Sequence, residues 1–153
     1  MPDRGSPPPL REGVLLQVFV AGQLAADLLR EELGPVMTPD RFAVQSVIGA
    51  LGPLTPSELA RRLGMAPTTI SSWLARLEQA GAVRRRPNPD DGRSQLVEVT
   101  TRGRSELDDA LPGFGRAITR VVDALGPDVD AVLAGSQRLA EALRSVLAED
   151  TSS

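Results

Sequence analysis

The 153-residue chain contains no cysteine and no histidine. Without cysteine there is no disulfide, no thiolate metal site and no redox thiol. Without histidine the commonest metal ligand and the usual general base are missing as well. No cofactor and no metal ion is therefore expected. Tyrosine and lysine are also absent, so all 17 basic residues are arginine. Aromatics make up 3% of a chain that is 41% hydrophobic, which leaves Leu, Val, Ile and Ala to build the core. Catalysis would have to rest on carboxylates, hydroxyls or arginine. No pair of acids in a cleft-like pattern and no glycine-rich phosphate loop is evident, so an enzyme is not expected. No apolar run approaches the ~18 residues that a membrane span needs. Val14 to Ala26 has the look of a signal-peptide core. Against that reading, Arg11 and Glu12 precede it, Gln17 and Gln23 interrupt it, and helical periodicity runs on to Leu33. A cytoplasmic protein is expected.

The net charge of −3 hides an uneven distribution. From Ser57 to Arg104 there are nine arginines against five acids, a net of +4, and the rest of the chain nets −7. A local basic field is what a polyanion meets, whatever the total.

Proline and glycine punctuate the chain. Residues 1–9 are Pro-rich without apolar periodicity and are expected to be a disordered tail. Leu10 to Leu33 has the spacing of a long helix, through Val14, Leu15, Val18, Phe19, Gly22, Ala25, Leu28 and Leu29. Leu16 and Val20 widen its apolar stripe beyond what one small domain buries, which points to a partner subunit. The alternative is a helix buried within its own fold. Thr38-Pro39-Asp40 starts a second helix, with Phe42, Val44, Val47, Ile48 and Leu51 as its buried face, and Gly52-Pro53 ends it.

Thr55-Pro56-Ser57-Glu58 has the form of a capping box. That helix ends at Gly64, which supplies a left-handed turn residue, and Pro67 restarts the chain. Ile70, Trp73, Leu74 and Leu77 then form one apolar face, while Thr68, Thr69, Ser71, Ser72 and Arg76 form the other. Short hydroxyls and one arginine suit close approach to a major groove; the alternative is a plain solvated face. Ala82–Arg86 and Gln95–Val99 are predicted strands, with 87–93 as the loop of a projecting hairpin. Arg84, Arg85 and Arg86 line its stem. Arg93 lies near a tip able to enter a narrow minor groove, and Asp91 is positioned to hold its guanidinium in a forked pair. Thr100-Thr101 begins a helix with an apolar face of Leu107, Ala110, Leu111, Phe114, Ile118, Val121, Val122 and Leu125. Pro112-Gly113 predicts a kink or break near Leu111. A last amphipathic helix is expected from Val129 to Leu147.

Helix, turn, helix and arginine-tipped hairpin make a winged helix-turn-helix, in a mostly α fold with a small β-wing. The segment Thr55 to Gly103 resembles the multiple antibiotic resistance regulator (MarR) family of bacterial transcription factors. The matching residues are Glu58-Leu59-Ala60, Leu77-Glu78, Gly81, Arg85, Asp91 and Arg93 at the wing tip, and Thr100 with Gly103. The resemblance implies residues 10–37 as an N-terminal dimerisation helix, 38–103 as the DNA-binding domain, 104–148 as C-terminal dimerisation helices, and 149–153 as a frayed tail. It implies a homodimer that reads a pseudo-palindromic operator, usually as a repressor, with Arg93 in the minor groove oriented by Asp91. It also implies release from DNA by a small aromatic or phenolic effector. Sensing of oxidants through Cys or of zinc through His, which some members use, has no residues here. The competing reading is a winged-helix protein–protein interaction module without DNA binding.

Overall fold

The structure is a computed structural model that describes residues 9–149. Of the tails expected at 1–9 and 149–153, residues 1–8 and 150–153 lie outside the described residues, while Pro9 and Glu149 belong to helices. The order is α1 (Pro9–Leu33), α2 (Pro39–Leu51), α3 (Pro56–Leu63), α4 (Pro67–Gln79), β1 (Val83–Asn88), β2 (Asp91–Val99), α5 (Thr101–Leu125) and α6 (Val129–Glu149), with one 3-10 turn at Gly126–Asp128. The chain is mostly helical with a single two-stranded antiparallel sheet.

Local chemistry accounts for the element boundaries. Thr38 caps α2 by accepting the Arg41 N–H. Thr55 and Glu58 form the full capping box: Thr55 Oγ1 accepts from Glu58 N at 3.2 Å, and Glu58 Oε2 accepts from Thr55 N at 2.8 Å. These bonds, chiefly the one from the Thr55 backbone, hold the Glu58 carboxyl below its ordinary pKa. Gly64 ends α3 at φ 63°, a left-handed turn that lets α4 follow after two residues.

The main core joins α2, α3, α4 and the sheet. Val44, Ile48, Leu59, Ile70, Leu74, Leu77, Ala82, Val83 and Val97 are buried together. Leu54 pairs with Val97 through two backbone bonds, which tie the α2–α3 connection to the sheet. A second cluster of Met37, Phe42, Leu107 and Ala110 joins α2 to α5, with Phe114 stacked 4.7 Å from Phe42. Leu51, expected on the buried face of α2, is instead 51% exposed at the last residue of the helix, while Ile48 one turn earlier stays buried.

Gln45 is fully buried, a position that hydrophobic periodicity does not anticipate. It accepts from Arg41 Nε at 2.9 Å and donates to the Gly103 carbonyl at 3.3 Å. Arg41 also pairs with Glu106, so α2 and the first turns of α5 share one polar network.

Of the kink or break expected near Leu111, the break does not occur. α5 runs unbroken through both residues. Pro112 is exposed, and Gly113 is the point where the end of α1 crosses α5. A Cβ there would overlap the Glu32 carbonyl oxygen and lie 2.9 Å from its carbon. Arg116 donates to that same carbonyl at 3.2 Å and to the Glu32 carboxylate, and Arg120 reaches both Glu31 and Glu32. Arg120 first, then Arg116, lowers the Glu32 pKa.

Gly13–Leu33 has a mean hydropathy of 1.3 and is long and apolar enough by composition to cross a membrane, contrary to the sequence expectation. Its C-terminal part, however, is docked on α5 through Gly113 and the Glu31–Glu32 ion pairs. The alternative of burial within its own fold fails for the first half of α1. Val14, Leu15, Leu16, Phe19 and Leu24 are all exposed, Phe19 at 64%. Leu111, Ile118, Val121 and Val122 of α5 and Val132, Leu133 and Leu147 of α6 are exposed too.

Candidate nucleic-acid interface

α4 is amphipathic in the expected sense. Ile70, Leu74 and Leu77 are buried, while Thr68, Thr69, Ser71, Ser72 and Arg76 are all exposed. Ser72 Oγ donates back to the Thr68 carbonyl at 3.0 Å, a bond that parks one hydroxyl on its own helix. Trp73 is only half-buried rather than part of the sealed core. The Arg76 guanidinium lies 5.5 Å from its ring centroid, a cation–π contact that presents the charge along the helix surface.

The wing is longer and tighter than the sequence suggested. The predicted seven-residue loop shrinks to a two-residue turn, Pro89 and Asp90, because pairing continues to Asn88 opposite Asp91. A register shift at Pro87 and Asn88 absorbs the proline, which has no N–H to give the ladder. Side chains brace the tip: Asn88 Oδ1 accepts from Asp90 N at 3.1 Å, and Asn88 Nδ2 donates to Ser94 Oγ at 2.8 Å.

Asp91 does not hold the Arg93 guanidinium. Its carboxylate accepts the Arg93 backbone N–H at 3.0 Å instead, an Asx-type bond that fixes the chain direction at the tip. The exposed Arg93 makes no salt bridge with a described residue.

Three of the arginines placed on the DNA-facing list are already paired. Arg84 and Arg86 both donate to Glu98, and Arg85 pairs with Glu78 at 3.2 Å. The Arg85–Glu78 pair links the end of α4 to β1. Arg61 and Arg62, in the last turn of α3, are exposed and make no salt bridge among the described residues. The sequence alone does not single them out as DNA contacts. Their signal in the sequence, two adjacent arginines just before the Gly64 turn, also suits the negative end of a helix dipole and was absorbed by that role.

The base of the wing is locked to α5. Thr100 Oγ1 donates to the carbonyls of Gly81 and Ala82 at 2.6 and 3.1 Å and accepts from Gly103 N at 3.1 Å. A Cβ on Gly103 would overlap the Ala82 carbonyl oxygen. Thr100 and Gly103 therefore act as one joint between sheet and helix.

Comparisons with known proteins agree with this geometry. The family model described as "MarR family" matches residues 37–95. The "HTH-type transcriptional repressor YetL" of Bacillus subtilis is 37% identical over 70 residues, 46% of this chain and 42% of that protein. The chain thus spans under half the length of that relative. The "HTH-type transcriptional repressor Mb2911" of Mycobacterium bovis is 31% identical over 102 residues, 63% of this chain and 70% of that protein. Among solved structures, mutant MarR from E. coli complexed with operator DNA superposes with a TM-score of 0.74 at 28% identity, over 88% of this chain and 99% of that one. Winged fold, joint residues and sequence relatives converge: the chain belongs to the MarR family of transcriptional regulators, which are not enzymes.

Proposed function

We propose that this chain is a homodimeric, sequence-specific repressor that binds a pseudo-palindromic operator in the cytoplasm. The observation that carries the DNA-reading part is α4. One of its faces is sealed into the core, and the exposed side carries Thr68, Thr69, Ser71, Ser72 and Arg76, beside a wing whose tip holds Arg93, which makes no salt bridge among the described residues. In this reading α4 enters a major groove, Arg93 enters the adjacent minor groove, and Arg61 and Arg62 meet phosphates. Arg84, Arg85 and Arg86 serve to shape the wing through Glu98 and Glu78. The likeness to a regulator solved on operator DNA supports the same reading.

The exposed apolar residues of α1, α5 and α6 support dimerisation. They are many large apolar side chains for one chain to leave in water. A second copy that interleaves its terminal helices would cover them, and residues 10–37 and 104–148 are the dimerising segments in this account. An apolar groove of about 250 Å³ between α1 and α5, walled by Leu28, Leu29, Phe114, Ile118 and Val121 among others, has the size and walls for one small ring. A small aromatic or phenolic effector is the ligand class we assign to it.

The test is fluorescence anisotropy with the duplex upstream of its own gene, titrated with salt. Binding should weaken by about 0.9 log units per log unit of salt for each phosphate neutralised. Arg93→Ala should weaken it while leaving the circular dichroism spectrum unchanged. Equal affinity in the mutant would remove Arg93 from the interface. No binding of any duplex at low salt would leave a protein–protein module.

A further inference from the structure

The outer face of the wing carries a charge arrangement that the reading of α4 and Arg93 does not use. Antiparallel register places Arg84 directly opposite Glu98, and Arg86 lies two residues along the same face. Arg84 Nε donates to Glu98 Oε1 at 2.5 Å and Arg86 Nε donates to Glu98 Oε2 at 3.2 Å. Each carboxylate oxygen is thus taken by a different arginine. The Glu98 side chain is 20% exposed while that of Arg84 is 71% exposed, so the acid sits beneath the cations rather than beside them. The hydrogen bond from Arg84, helped by the charge of Arg84 and the bond and charge of Arg86, holds the carboxyl below its ordinary pKa against the opposing effect of burial.

Sequence-independent affinity for DNA grows with the number of phosphates that free cations can neutralise. Arg84 and Arg86 can reach a phosphate only by leaving Glu98 or by carrying its negative charge with them. On an operator, α4 and Arg93 fix the register of the protein. Arg84 then lies at the base of the wing, about 16 Å from the tip for five residues of strand. On arbitrary sequence nothing holds that register, and free wing arginines would settle on whatever phosphates are near.

We propose that Glu98 is a specificity-determining residue for DNA: it occupies Arg84 and Arg86 and so suppresses binding to sequences that α4 does not recognise. The proposal rests on the DNA-reading function above and adds a device that sets its background.

The experiment uses the full chain and two duplexes, the upstream one and a pool of random sequence, with anisotropy titrated against salt. Glu98→Gln should bind the random pool roughly tenfold more tightly at low salt, with a slope steeper by about 0.9 for each arginine freed. Its affinity for the upstream duplex should rise less, which narrows the ratio between the two. Adding Arg84→Ala and Arg86→Ala to Glu98→Gln should return random-pool binding to the wild-type level. Unchanged or weaker random-pool binding by Glu98→Gln overturns the proposal, as does a gain that survives loss of both arginines. If Glu98→Gln fails to fold by circular dichroism, Arg84→Ala alone decides. Unchanged random-pool binding supports an arginine held in reserve, and a severalfold loss shows one already spent on phosphate and overturns it. Wild type that binds no duplex removes the function and this proposal together, whereas bound wild type with an unaltered Glu98→Gln removes the proposal alone.

Discussion

Gly103→Ala should be among the most damaging single substitutions in the chain, and its size can be worked from the joint it occupies. Gly103 lies in the first turn of α5, where the helix passes against the base of the wing. The new methyl would overlap the Ala82 carbonyl oxygen and lie 2.9 Å from both the Ala82 carbonyl carbon and Val99 Cγ1. Two of those three neighbours are backbone, so no rotamer change relieves them. Overpacking of this kind costs about 1–3 kcal/mol. Relief by separating α5 from the sheet would strain the Thr100 N–H bond to Ala82 O at 3.0 Å and the single Thr100 hydroxyl proton shared between the Gly81 and Ala82 carbonyls, about 1 kcal/mol for each donor. Against this, alanine restricts the unfolded chain and favours helix by less than about 1 kcal/mol. The net expectation is a loss of about 2–4 kcal/mol, or roughly 4–16 °C in Tm for a chain of this size. Gly115→Ala is the internal control. It lies in the same helix with nothing within 4 Å of the added methyl, so it should be neutral or stabilising by up to about 1 kcal/mol. Urea unfolding followed by the fluorescence of Trp73, the single tryptophan, at fixed protein concentration measures both. Equal midpoints for Gly103→Ala and Gly115→Ala would refute the claim that α5 and the wing share a steric joint.

Gly113→Ala should loosen the docking of α1 on α5, because its methyl would overlap the Glu32 carbonyl; hydrogen exchange should rise in α1 and α5 while α4 keeps its protection. Trp73→Ala should cost about 1–3 kcal/mol, less than the ~3–5 of a sealed aromatic, because the ring is half-buried, and calorimetry settles which. The acid limb of stability follows from Glu32, Glu58 and Glu98, whose folded pKa values all lie below the ordinary 4.5. A depressed folded pKa gives stability that is fully present above 4.5 and lost as pH falls through the folded value. Tm should therefore be flat on the neutral side and decline below about pH 4.5, and Glu58→Gln should flatten part of that decline; an identical acid limb in the mutant would show that the capping box is not titrating.

Where structure follows from neighbouring residues, the sequence was readable. Thr38, Thr55 and Thr100 cap helices because each hydroxyl meets an N–H three residues on, and Gly64 ends α3 because the turn needs its conformation. The polar and apolar faces of α4 follow from spacing alone. What sequence hid depends on distant partners. Pro112-Gly113 has the local chemistry of a break, yet the glycine is there to admit the Glu32 carbonyl from another helix. Gln45 looks like a surface residue until Arg41 and the Gly103 carbonyl satisfy it. The wing's turn-forming residues suggested a long loop because cross-strand pairing at Asn88 and Asp91 is not encoded in either residue alone. The arginine-rich stem looked uniformly available to DNA, but Glu78 and Glu98, five or more residues away in sequence, hold three of its cations.

The central claim is that two copies of this chain read one duplex through paired recognition helices. Hydroxyl-radical footprinting of the upstream duplex, with the mass of the complex determined in parallel, tests it most directly. Two protein chains per duplex and a two-fold symmetric footprint are expected, with half-sites about one helical turn, ~10 bp, apart. A single chain on one asymmetric half-site would contradict it.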